Sequence, residues 1–197
     1  MSELKSHTVD LDALPNKFPT NRHEAIFWES LGRVVATFGF LEETLAKAIF
    51  AFTATKPYNE DEVQKVLEAW LPKLQHALSD QLWNLIESYA KAVREHPHAT
   101  IDNLDFLEER LKDTVEIRNV ICHGSWPPPD TGGASIPFFV NKKQLRFNTP
   151  IDVGYLVQVQ KSVSELICGV VNTVTHMGWQ FPGSNGPGKV IWDTTKK

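Results

Sequence analysis

Apolar residues recur at steps of three and four over most of this chain, and the breaks in that rhythm divide it into helices. Phe27, Leu31, Val34, Phe38, Leu41, Leu45, Ile49 and Phe52 predict one long amphipathic helix running to about Thr55. Asn21 and Glu24 predict its N-cap and reciprocal partner. Gly39, inside the helix, suggests a close helix crossing. Lys56 to Asn59 reads as a turn, and Asn59 to Glu62 as an acidic cap. A second helix then carries Val63, Val66, Trp70, Leu74, Leu78, Leu82, Ile86, Tyr89 and Val93, with Pro72 kinking or splitting it.

A third helix starts between Thr100 and Asp102 and runs through Leu104, Leu107, Leu111 and Val115 to His123. Gly124 is placed to end it, and Pro127 to Pro129 forbid continuation. Ser135 to Val140 and Leu145 to Phe147 flank Asn141 to Gln144, a pattern that predicts a short β-hairpin. Thr149, Pro150 and Asp152 supply a cap, a first-turn proline and an acid for a last helix. That helix holds Leu156, Val163, Leu166, Val170, Val174 and Met177 in register. The expected fold is therefore all-α: a bundle of four to five helices with a small β-hairpin between the last two long ones. Residues 1–20 read as an extended arm, 21–178 as the bundle and 179–197 as a flexible tail rich in Gly and Pro.

Composition narrows the class. The 197 residues are long enough to close a hydrophobic core without staples. With a net charge of −4, no global positive field advertises a duplex-coating protein, though a small basic site is compatible. Cys122 and Cys168 lack C-x-x-C spacing and fall in apolar helical segments, so they read as buried thiols in a reducing compartment. The polar, proline-broken N-terminus lacks the apolar stretch of a signal peptide, and no apolar run reaches a membrane span. The expected location is the cytoplasm, with no membrane contact.

Chemistry concentrates at the end of the third helix, in Glu116 to Pro129. On a helical wheel Leu104, Leu107, Leu111, Val115 and Cys122 share one stripe, and Arg118 falls inside it. Asn119 and His123 stack four apart beside that stripe, so the three side chains are expected to face one small volume. A guanidinium offers paired donors to a phosphate, an imidazole passes protons near neutral pH, and an amide orients either. The set suits metal-free cleavage of a phosphodiester by a ribose 2′-hydroxyl, and nothing in it calls for a metal or other cofactor. Phe106, Ile117 and Val120 form a second apolar patch on the far side, which points to a second contact such as another subunit. The bland alternative is that Arg118 pairs with a carboxylate on a neighbouring helix while His123 caps the helix end.

A helical bundle whose third helix ends in R-N-x-x-x-H, here Arg118, Asn119 and His123, resembles the HEPN superfamily (higher eukaryotes and prokaryotes nucleotide-binding). The resemblance covers about residues 22–178, and Gly124, Ser125, Trp126 and the hairpin are similar to its uncharacterised bacterial branch. It implies a homodimeric, metal-independent endoribonuclease of a toxin or phage-defence system, with an antitoxin or other protein partner. It also implies roles: Arg118 holds the scissile phosphate, Asn119 positions it, and His123 is the general acid or base. Family members that only bind nucleotides or proteins keep similar helices, so a catalytically inactive module is the second reading. Lys142, Lys143 and Arg146 on the hairpin are candidates for RNA phosphates, or else a solvated turn. Trp126 is a candidate for stacking on a base, or for packing over the helix end. His96 and His98 flank Pro97 and read as surface loop rather than metal ligands.

Overall fold

A computed structural model describes residues 6–56 and 82–186, and within them the chain forms four α-helices. They are α1 (Ala25–Ala54), α2 (Leu82–Arg94), α3 (Leu104–His123) and α4 (Val153–His176). The predicted turn, acidic cap and Pro72 kink, and the second helix before Leu82, lie outside the described residues. None of the described helices is long and apolar enough to cross a membrane.

The helices form where their apolar residues can all be buried together. In α1 the predicted stripe is the inner face: Phe27, Val34, Phe38, Leu41, Leu45 and Phe52 are buried. Helix α1 packs against all three others. Leu85, Ile86, Tyr89 and Val93 of α2, Leu111 of α3, and Val163, Leu166, Val170 and Val174 of α4 complete one core. Gly39 is exposed, with open space where a side chain would stand, so it marks no crossing. The close crossing is at Gly169 instead, where a Cβ would come within 3.1 Å of Leu107 Cδ1. Ion pairs tie α2 to α3: Arg94 Nη2 reaches Asp105 and Glu108, and Lys112 reaches Glu87 and Glu108. Lys112 and Arg94 beside Glu108 hold its carboxyl below the usual range.

Helix starts differ from the sequence reading by a few residues. Glu24 and Asn103 are the residues before α1 and α3, and neither side chain caps. At α4 the cap is Asp152, not Thr149; its carboxylate accepts from Tyr155 N–H at 2.7 Å. The Asn21 to Glu24 segment serves another purpose. His23 is buried and stacked on Phe27 with ring centroids 4.0 Å apart. Its Nε2–H donates to the Pro127 carbonyl at 2.9 Å, tying the chain after α3 to the start of α1.

The predicted β-hairpin is not formed as strands. Residues 125–151 make three isolated antiparallel bridges, Ser125 with Phe138, Ser135 with Ile151, and Val140 with Arg146. The reason is local. Phe139 O accepts from Phe147 N–H and Asn141 N–H donates to Leu145 O, but Pro137, next along the same edge, has no N–H to continue the ladder. Only the turn keeps its expected form: Asn141 Oδ1 accepts from Lys143 and Leu145 N–H, both at 3.0 Å.

Three further expectations change. Cys122 and Cys168 are exposed. His96 is buried rather than at the surface. It accepts from His98 N–H on Nδ1, so Nε2 carries the proton and faces Thr55 Oγ1 at 3.4 Å. Its ring meets Trp179 at 5.0 Å. Trp179 packs against the core and Phe181 is buried, so the start of the expected tail is part of the bundle.

Tyr89 reaches across the core from α2 to Thr173 of α4, with its hydroxyl 2.9 Å from Thr173 Oγ1. Burial pushes its phenol up to about 12, a rise the Thr173 hydrogen bond partly offsets. An unfolded tyrosine ionises near 10, so this contribution to stability is complete below about pH 10 and disappears as pH rises towards 12. Urea midpoints should therefore fall steeply over that interval, by about 2–3 kcal/mol of stability. In Tyr89→Phe the same pH scan should be markedly flatter.

Candidate functional site

The site is laid out by three faces of α3. On an ideal wheel Leu104, Leu111 and Val115 point into the bundle, and Arg118 follows them toward α1. Glu116 and Val120 point roughly the opposite way. Val120 is fully buried there and Ile117 half-buried, on the side where the chain's own 125–151 loop is fastened. Asn141 Nδ2 donates to Glu116 Oε1 at 3.2 Å, and Ser125 pairs with Phe138. The loop is therefore fastened beside this patch, and Phe106 alone of the three is exposed. Asn119 and His123 fall on the strip of helix left between α1 and the loop.

Arg118 is held by α1. Glu42 Oε1 accepts from its Nε at 3.1 Å and from its Nη2 at 2.9 Å, with both side chains about a quarter exposed. The alternative of a carboxylate on a neighbouring helix is thus what the structure contains. The remaining edge of the guanidinium is not consumed: Nη1 donates to Asn119 Oδ1 at 3.4 Å, a weak bond. His123 is exposed and makes no hydrogen bond among the described residues. The structure brings Arg118 and Asn119 together, and joins neither to His123 by a bond.

Glu42 is the site residue that sequence reasoning missed. It follows Leu41 of the buried stripe, so it stands at the edge of α1's inner face, and no local pattern in the sequence pairs it with a residue 76 positions away.

Gly124 ends α3 for a reason of space. Its φ of −71° is open to any residue, but an added Cβ would lie 2.5 Å from Val120 O and 3.1 Å from Pro137 Cβ. The close seat of Pro137 against the helix end needs the glycine.

The four candidate RNA residues divide. Trp126 is partly buried and packs against the core, its ring T-shaped to Phe27 with centroids 5.1 Å apart. Lys142, Lys143 and Arg146 are exposed, and the Arg146 guanidinium lies 5.4 Å from the centroid of Phe138. A cavity of about 570 Å³ opens elsewhere, between the start of α3 and the end of α4, lined by Asn103, Phe106, Arg110, Glu165, Asn172 and His176. No residue of the R-N-x-x-x-H set lines it. Among the described residues no group of three or more His, Cys, Asp or Glu is arranged to hold a metal ion.

The Glu42–Arg118 pair makes a stability prediction. Glu42→Ala leaves a partly exposed guanidinium without its two charge-assisted bonds and should cost about 1 kcal/mol. Glu42→Gln, which keeps an acceptor oxygen, should cost less. Thermal or urea unfolding of the two variants beside the parent checks the order.

No protein-family model, curated protein or solved structure matches this chain.

Proposed function

We propose that this chain is a HEPN-type, metal-independent endoribonuclease acting as a homodimer in the cytoplasm, in a toxin or phage-defence setting that includes an antitoxin or other protein partner. The observation that supports it is a guanidinium fixed at its Nε side by Glu42, with its Nη1 edge toward Asn119, on the strip of α3 that also carries the exposed His123. Glu42 uses two of the five guanidinium N–H donors. A phosphate oxygen can replace the weak Asn119 bond at Nη1 without displacing the carboxylate.

In this reading the ribose 2′-hydroxyl oxygen attacks phosphorus as its proton passes to a base, and the bond from phosphorus to the 5′ oxygen breaks. The leaving oxygen takes a proton, giving a 2′,3′-cyclic phosphate and a 5′-hydroxyl end. His123 is the general acid or base. Two strips facing across a dimer would supply one imidazole for each proton. Arg118 steadies the charge that builds on the phosphate, and Asn119 fixes its orientation.

The Glu42 pair also favours a second reading. A carboxylate that neutralises Arg118 is what a catalytically inactive HEPN-like nucleotide-binding or protein-interaction module would keep for structure alone.

Incubating the chain with RNA in EDTA separates the two. The ribonuclease reading expects cleavage to persist, cyclic-phosphate ends to form, and the rate to fall at least about 100-fold in His123→Ala while circular dichroism is unchanged. Failure to cleave in either condition, with Arg118→Ala affecting only the melting temperature, would leave the inactive module.

A further inference from the structure

From Thr131 to Ile151 the sequence contains Lys142, Lys143 and Arg146 and no acidic residue, although the whole chain carries −4. The same segment exposes apolar surface: Phe138 is 59% exposed and Leu145 61%. Phe138 is not loose. Its N–H donates to Ser125 O at 2.8 Å and its carbonyl accepts from Ser125 N–H at 3.1 Å, so the backbone holds the ring in the open. The Arg146 guanidinium lies against that ring. The turn bearing the two lysines is tied by Asn141 to Glu116. One assembly of ring, guanidinium and two amines is thus fastened to α3 two residues before Arg118 and two residues after His123.

We infer that this loop is a docking platform for single-stranded RNA, with a base stacked on Phe138 and Arg146 and the phosphates following Lys142 and Lys143. The inference rests on the ribonuclease reading and names its substrate as an unpaired strand. An exposed ring or guanidinium plane gains from a base only if that base has a free face. A duplex keeps its faces stacked and offers this loop phosphates alone. The cations discriminate against the other occupant an exposed phenylalanine invites, a second copy of the same surface. A symmetric contact through this patch brings like charges together, whereas a polyanion meets them with opposite charge. Trp126 is less open than Phe138: it is partly buried, with its ring against Phe27 and His23.

The test uses the full chain carrying His123→Ala, so that RNA survives the measurement. Fluorescence anisotropy with a labelled single-stranded oligoribonucleotide of mixed sequence, and with the matched duplex, should show the single strand bound more tightly. Adding Phe138→Ala should weaken single-strand binding about tenfold, and Phe138→Tyr should restore it. Reversing both lysines to glutamate should weaken binding and flatten its salt dependence, which for two phosphate contacts has a log–log slope of about −1.4. Because Phe138 is exposed, helical circular dichroism should be the same throughout. Tighter binding of the duplex, unchanged affinity in Phe138→Ala, or no single-strand binding at all overturns the platform. So does a Phe138→Ala chain that loses self-association in sedimentation while keeping its affinity for RNA. A chain that binds this way but never cleaves retains the platform and loses the nuclease; one that cleaves and ignores Phe138→Ala does the reverse.

Discussion

The long apolar face of α1 is the constraint on which the other elements depend. Burying a leucine or phenylalanine is worth about 1.5–3 kcal/mol, and α1 buries Phe27, Val34, Phe38, Leu41, Leu45 and Phe52 along a single stripe. A partly exposed ion pair is worth about 1 kcal/mol or less. The rotation of α1 is therefore set by its apolar residues and not by Glu42. Once Leu41 is inside, Glu42 has to stand at the margin of the buried face, and Arg118 of α3 meets it there. The polar contact at the candidate site follows from hydrophobic packing that had already fixed both backbones.

That ordering explains what the sequence discloses. Steps of three and four name the buried faces of α1, α2 and α4 almost residue for residue, since each of those faces packs on one continuous core. In α3 the pattern succeeds only in the first half. Beyond Val115 the helix meets α1 through Arg118 and the 125–151 loop through Glu116, while Val120 and Ile121 are buried and Cys122 is exposed. The second apolar face at Ile117 and Val120 is legible in the sequence, but nothing local places Ile121 inside or Cys122 outside. The hairpin expectation failed for a local reason. Alternation and a turn are both present, but Pro137 interrupts the ladder beyond the Phe139–Phe147 bond. His96 reads as surface loop because Trp179, which its ring meets, is distant in sequence, and nothing local marks His23 for the equally distant Pro127.

The chemistry at the end of α3 was legible as residue types and only partly as geometry. Spacing alone places Asn119 between Arg118 and His123 on the helix surface, and the structure keeps that order. Spacing cannot say which charges Arg118 meets, and Glu42 alters the problem. A bare guanidinium on a mobile side chain would lose rotamer freedom on gripping a phosphate. One already held by a carboxylate has lost that freedom during folding, but has lost part of its net charge as well. The pair thus trades strength of anion binding for precision of orientation.

The trade bears on whether a helix end of this kind can do chemistry. Transition-state stabilisation needs donors that are fixed before charge develops, and a group that must swing into place loses part of its benefit to reorganisation. Glu42 fixes Arg118, Gly124 allows Pro137 to seat closely at the helix end, and the Ser125–Phe138 pair fixes the loop beyond. Of the three motif residues only His123 is left without such support among the described residues of one chain. An imidazole that is exposed and unbonded is poorly oriented for proton transfer, whatever its neighbours can bind. Its orientation has to come from what covers the strip, whether substrate or a second copy of the chain. This is the physical reason that a ribonuclease reading of this fold requires an assembled site, while an inactive module does not.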